Sequence, residues 1–331
     1  MKFQKSMIAV AVMAMAAGVH AETITEITDG FQYDKAEDLT VNLQQFNVFN
    51  NVNIQANSVT INGPKKPTDL NTLYAGGPVN LTSKVGDVVI HAEAKNAIFT
   101  APQADNPTNA SVKITSARDI LIGSDSGWAI MAQNSDSFAG ISVNAARDVI
   151  INSANGVTNN AGAKGKVEVK GTNVIINAQK GNKAVSGTFG ETVIEAKNDL
   201  TINGGKHSAV TALDGTLTLK AKGKTTINGD INFDRASATS PNATEGTINI
   251  LDTGTTVING NVVAKDGGTM NITLAGAGSQ LNGAIKTDKT EQDLTPTTNI
   301  GLKDGATWNA KAESHVTKLT LAGGVVDRAI S

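Results

Sequence analysis

The chain has 331 residues, 28 basic and 30 acidic side chains for a formal net charge of −2, 40% hydrophobic residues, 4% aromatics, 33 glycines and no cysteine. These numbers exclude a disulfide framework, a basic footprint for nucleic acid or an anionic membrane, and a disordered chain. So few bulky residues suit many short strands with frequent turns better than the core of a compact enzyme.

Residues 1–21 are read first, because they decide the compartment. "MKFQK" is a basic start, "SMIAVAVMAMAAG" an apolar stretch, and "VHA" ends in a small-x-small pattern, the three parts of a signal peptide. Cleavage is expected between Ala21 and Glu22. The apolar stretch falls short of the roughly 18 residues that cross a bilayer as a helix. Residues 22–50 then concentrate Phe31, Tyr33, Phe46 and Phe49, an aromatic density found nowhere else in the chain. They are expected to cap one end of the fold, with an aromatic ligand patch as the lesser reading, because an open solenoid end exposes an unpaired strand edge.

From residue 51 to 331 the chain repeats itself. "SARDILIG", "AARDVIIN" and "AKNDLTING" begin at 116, 145 and 196, and each belongs to an alternating apolar segment that closes on an anchor residue. The anchors are Ile61, Ile90, Ile122, Ile151, Ile176, Ile202, Ile227, Ile258, Leu281 and Trp308. A second alternating segment precedes most of them, as with Val52 and Ile54 before Ile61, or Leu217 and Leu219 before Ile227. Alternation means period two, hence strands with one buried face, and the abundance of β-branched residues argues against helix. A unit of about 25 to 30 residues holding two or three short strands predicts an all-β fold, a right-handed parallel β-helix of about ten coils. An antiparallel sandwich is the rival, but it would not repeat one motif at so regular an interval.

The residue after the anchor is Asn at positions 62, 152, 177, 203, 228, 259, 282 and 309. Stacked in register, Asn62, Asn152, Asn177, Asn203, Asn228, Asn259, Asn282 and Asn309 are expected to form a structural ladder of side-chain amides at a corner; the lesser reading makes them sugar ligands. Asp119, Asp148 and Asp199 precede the anchor strand at equivalent places and are expected to accept from turn N–H groups, with Arg118 and Arg147 alongside. Loops 63–78, 101–110, 234–245 and 287–298 lengthen the return segment, carry prolines, and are the expected places of partner contact.

Chemistry is sparse. His91, His207 and His315 stand apart from carboxylate pairs, and neither HExxH nor a dense acidic cluster occurs, so no catalytic, cofactor-binding or metal site is expected. "GSDSGW" at 123–128 contains a fragment of a serine-protease signature, but the chain before Ser126 is too short for the two barrels that build that site, and His91 is the one upstream histidine after Ala21. No enzyme activity is expected; among catalytic readings a polysaccharide-active β-helix comes first.

The signal peptide, the cysteine-free repeats and "GATWNAKAESHVTKLTLAGGVVD" at 305–327 together resemble the passenger domain of Gram-negative autotransporters. The last stretch is similar to a closing passenger repeat, with Trp308, Leu319, Leu321 and the Gly323-Gly324 turn before Val326. The resemblance implies an exported, cell-surface or released rod that adheres to host cells, matrix or other bacteria through a protein or glycan ligand. It also implies an outer-membrane translocator, and residues 1–331 contain no strand series that would form that barrel. A self-associating surface or biofilm protein is the alternative function, and a periplasmic location follows if the protein is truncated. No nucleic acid partner and no cofactor are expected.

Overall fold

The computed structural model describes residues 20–45, 48–65, 70–101, 110–133, 139–162, 165–178, 183–205, 208–233, 246–252, 254–265, 268–288 and 296–328. Most of the expected signal peptide (1–19), Phe46, His207, the whole of the expected loop 234–245 and the central parts of the other three expected loops lie outside them. Among the described residues there is no helix, and hence none long and apolar enough to cross a membrane.

The strands form a parallel β-helix. Its central feature is an anchor stack in which every anchor read from the sequence pairs in register with the next: Ile61 with Ile90, Ile90 with Ile122, Ile122 with Ile151, and so on to Leu281 with Trp308. The stack extends beyond those ten. Ile24 and Val41 precede Ile61, and Val326 follows Trp308, giving thirteen rungs where about ten coils were expected. At about 4.8 Å per rung the rod is close to 60 Å long. Period-two alternation fixes this register, because a slip of one residue would turn every buried Ile or Val to solvent.

The second side is a 12-stranded sheet that starts at Gln32–Asp34 and ends at Lys318–Ala322. Its inward columns include Val52, Val79, Val112, Ile141 and Val167, all in register. The strand Glu191–Ala196 belongs to it as well, with Thr192 standing at 0% exposure where its neighbours above and below carry Val167 and Leu217. The sequence hides that rung, because a threonine interrupts the apolar pattern.

The third side lies in the segments expected as irregular returns. Leu73–Ala75, Ile98–Thr100, Lys183–Gly187, Ser208–Ala212, Ile231–Phe233 and Val262–Lys265 form a further parallel stack. Leu73–Ala75 therefore places a strand inside the expected loop 63–78. Strands Ile120–Gln133 and Asp148–Asn160 run through both the anchor stack and this third side, joining the two into one 21-stranded sheet. Residues 123–128, after the anchor Ile122, form a bend within a strand, with the register shifting between Ser124 and Trp128. Corners between the 12-stranded sheet and the anchor stack range from one residue to four: Asn57 alone joins Val52–Ala56 to Ser58–Asn62 and Thr172 alone joins Lys166–Gly171 to Asn173–Ala178, while residues 84–87 join Pro78–Ser83 to Val88–Ala92.

Residues 22–50 do not fold separately. Ala21–Ile24 and Asp38–Asn42 are rungs of the anchor stack and Gln32–Asp34 is the first rung of the 12-stranded sheet, so the end is covered by its own first coils. Tyr33 and Phe49 are buried and Phe31 packs against the core, which leaves no aromatic ligand patch among these three.

Candidate functional site

The outer surface is organised in columns, because side chains that alternate outward on each strand stack on those of the next coil. In the column after the anchors, Asn177 donates to the side-chain oxygen of Asn152 at 2.7 Å, Asn203 to Asn177 at 2.6 Å, and Asn228 to Asn203 at 2.7 Å. The ladder continues through Asn259, Asn282 and Asn309 at 2.8, 2.9 and 2.6 Å. Each Nδ2 points to the preceding coil, so the amide dipoles align and the chain of bonds is cooperative. Asn62 belongs to a separate short segment and donates to Asn42 at 2.8 Å, a partner hidden from the sequence because its coil was read as cap. Between the two segments the column holds His91 and Gly123. A Cβ on Gly123 would come 3.2 Å from His91 Nδ1 and 3.3 Å from the Asn152 carbonyl, so any side chain there would crowd the column.

The aspartates form the neighbouring column. Asp119 Oδ1 accepts the backbone N–H of Asp148 at 3.1 Å, Asp148 accepts that of Asn173 at 3.2 Å, and Asp199 accepts that of Lys224 at 2.7 Å. The expected turn acceptors thus bind the first N–H of the next coil. Arg147 reaches one coil back to Asp119, with Nη2 at 2.6 Å and Nε at 3.1 Å, and Arg118 sits 3.6 Å from Asp87. Within both columns the Asn and Asp side chains bond one another and the backbone of neighbouring coils.

The strand bend at "GSDSGW" brings His91, Asp125 and Ser126 to one place. His91 Nε2 lies 3.9 Å from Asp125 Oδ1, while Ser126 donates to the Ala94 carbonyl at 2.6 Å. The serine hydroxyl thus faces a carbonyl acceptor and not the imidazole, which is not the arrangement of an activated nucleophile. His315 lies near Glu313 at 3.6 Å. Among the described residues no three His, Cys, Asp or Glu side chains gather as metal ligands would.

Two outward features escaped the sequence reading. On the third side Tyr74 and Phe99 stack edge to face, 4.9 Å between centroids, with Met131 next in the column. Their "LYA", "IFT" and "IMA" alternation is only three residues long, below what period analysis resolves. On the 12-stranded sheet, Lys166, Lys170 and Lys220 alternate with Glu168, Glu191 and Glu195, with contacts of 3.2 Å for Lys166–Glu191 and 3.1 Å for Lys220–Glu195. The Lys220 bond holds the Glu195 carboxyl below its ordinary range, and Glu168 raises Lys170. Toward the last rungs this charge network gives way to Asn271, Thr273, Asn299 and Thr320, and to Lys303 and Lys318, which pair with no carboxylate among the described residues. No family model, no curated protein and no solved structure matches this chain.

Proposed function

We propose that this protein is an exported binding rod that serves adhesion, at the cell surface or released from it. The reading rests on the outward columns: the asparagine ladder from Asn152 to Asn309 and the Lys–Glu pairs of the 12-stranded sheet stack at strand spacing and bond from coil to coil, a repeated surface suited to multivalent contact. The signal-peptide pattern of residues 1–21 supports export, and the resemblance of 305–327 to a closing passenger repeat supports display outside the cell. Purified full chain should coat particles and make them adhere to host cells, matrix or other bacteria. Particles that remain free, or cleavage of a polysaccharide that is abolished by changing one carboxylate, would overturn the proposal.

A second reading, self-association, has its own support. The last rung leaves Leu319, Leu321, Val325 and Val326 exposed beside strand edges that are unpaired among the described residues. Such an edge pairs readily with another chain. Concentration-dependent sedimentation separates this reading from adhesion to a foreign surface.

A further inference from the structure

One outward column of the 12-stranded sheet runs through Asp34, Gln55, Thr82, Thr115, Asn144 and Lys170, continues through Glu195, Lys220 and Leu251, and ends with Thr273, Gly301 and Thr320. Gly301 is the single rung of this column without a side chain. Nothing in the backbone requires that glycine: it lies inside strand Thr297–Lys303, has no positive φ, and a Cβ there would find only Thr273 at 3.4 Å or beyond, an ordinary contact. Elsewhere along the column the same position carries a side chain. Here the gap opens a notch of about 350 Å³, at the small end of ligand-site volumes.

The walls of the notch have a distinct chemistry. Asn299 donates to Asn271 at 2.9 Å along one side, and Thr273 and Thr320 stand above and below the glycine. Lys303 and Lys318 border the notch, both exposed, and no carboxylate among the described residues pairs with either. Lys166, Lys170 and Lys220, by contrast, are answered by Glu191, Glu168 and Glu195. Amides and hydroxyls both donate and accept, as a polyol requires, and two ammonium groups without an ion-pair partner among the described residues select a negative charge. Strand Thr297–Lys303, which carries Gly301, is bonded on both edges, to Thr269–Ala275 and to Lys318–Ala322, so a peptide strand would have to pair at the outer edge of Lys318–Ala322, one rung beyond the glycine.

We infer that the Gly301 notch is a binding site for an acidic saccharide, a sugar unit whose carboxylate lies between Lys303 and Lys318 and whose hydroxyls bond Asn271, Asn299 and the two threonines. The inference rests on the adhesion reading and names its ligand class. The test titrates the full chain with short oligosaccharides of galacturonate, of glucuronate and of sialic acid, beside a neutral galactose oligosaccharide, an oligoglutamate peptide and sodium sulfate. At least one acidic oligosaccharide should bind, and at least tenfold more tightly than every control, with affinity falling as salt rises. Gly301→Thr, which restores the regular column, should weaken binding at least tenfold without lowering the unfolding midpoint, and the double variant Lys303→Gln, Lys318→Gln should do the same. Failure of every acidic oligosaccharide to bind, equal binding of a control, or full affinity in Gly301→Thr overturns the site. Adhesion of protein-coated cells that persists in Gly301→Thr while the oligosaccharides fail removes this inference alone; wild-type protein that binds them without adhering removes the adhesion reading alone.

Discussion

The two ends of the rod follow the same alternation and meet different fates. At the first rung Glu22 and Ile24 sit in register with buried Leu39 and Val41, and the chain between the first strands folds back so that Ile27 and Tyr33 are 1% and 6% exposed. Glu22 is ion-paired with Lys35, and a charge on the inward column of an edge strand discourages a further strand from adding there. At the last rung Leu319 and Leu321 continue the columns of Ile300 and Leu302, and Val326 continues that of Trp308, yet they are 38%, 53% and 36% exposed. Burial in a solenoid is therefore conferred by the neighbouring rung. A strand pattern announces which side chains turn inward, and only a stacked coil takes them out of water.

Truncation breaks this contrast most sharply. Ile27→Ala removes a fully enclosed side chain and should cost about 2–4 kcal/mol, whereas Leu321→Ala, half exposed already, should cost less than about 1 kcal/mol. Urea unfolding of the two variants beside the parent checks the difference; equal losses would mean that the last rung is covered in solution.

The amide ladder sharpens the same comparison from within. Asn203→Ala deletes a residue that both donates to Asn177 and accepts from Asn228, leaving two partners unanswered, and should lower stability by about 2 kcal/mol. Asn309→Ala, near the open end, breaks the single bond to Asn282 and should lower it by about 1 kcal/mol. Matched losses in thermal unfolding would show that the ladder does not act as a chain. A change in the opposite direction is expected at Thr192, whose buried hydroxyl finds no hydrogen-bond partner between Val167 and Leu217. Thr192→Val should raise stability by about 1 kcal/mol.

The ten anchors and the eight asparagines that follow them are legible in the sequence because a large apolar residue, then Asn, recurs at one point of a period-two pattern. Every anchor lands in register with its neighbours. Thr192 and the third side are not legible, for two physical reasons. A buried threonine looks polar to a hydrophobic pattern, and strands of three residues such as Leu73–Ala75 owe their extended form to the coils on either side. The Gly301 notch escapes for a third reason. It is an absence within a column, visible only once the rungs are aligned in space.

Alkali should loosen the guarded end first. Burial, reinforced by the Glu22 carboxylate, pushes the Tyr33 phenol from 10.0 up to about 12. The folded chain thus favours the neutral phenol, so its contribution is intact below pH 10 and is lost as the pH rises from 10 toward 12. Glu22 moves the other way. The bond from Lys35 holds its carboxyl below the ordinary 4.5, and that contribution, present above the ordinary value, disappears as the pH falls through the acid range. The unfolding midpoint should fall between pH 10 and 12, and Tyr33→Phe should flatten the decline; an unchanged slope in that variant would assign the loss elsewhere.

The smallest effect on stability is expected at the open end, where it separates two readings of the surface. Leu321 is 53% exposed on the last rung, so Leu321→Ser removes little buried area and should shift unfolding by less than about 0.5 kcal/mol. If copies of the chain meet through that edge, the same substitution places a polar group in the apolar strip formed with Leu319 and should dissociate them, seen as loss of the heavier species in sedimentation. Adhesion through the outward columns predicts a different result, monomers before and after the substitution with undiminished binding to the target surface. Because folding is barely touched in either case, the outcome reports on what the last rung contacts and leaves the guarded first rung as the internal reference.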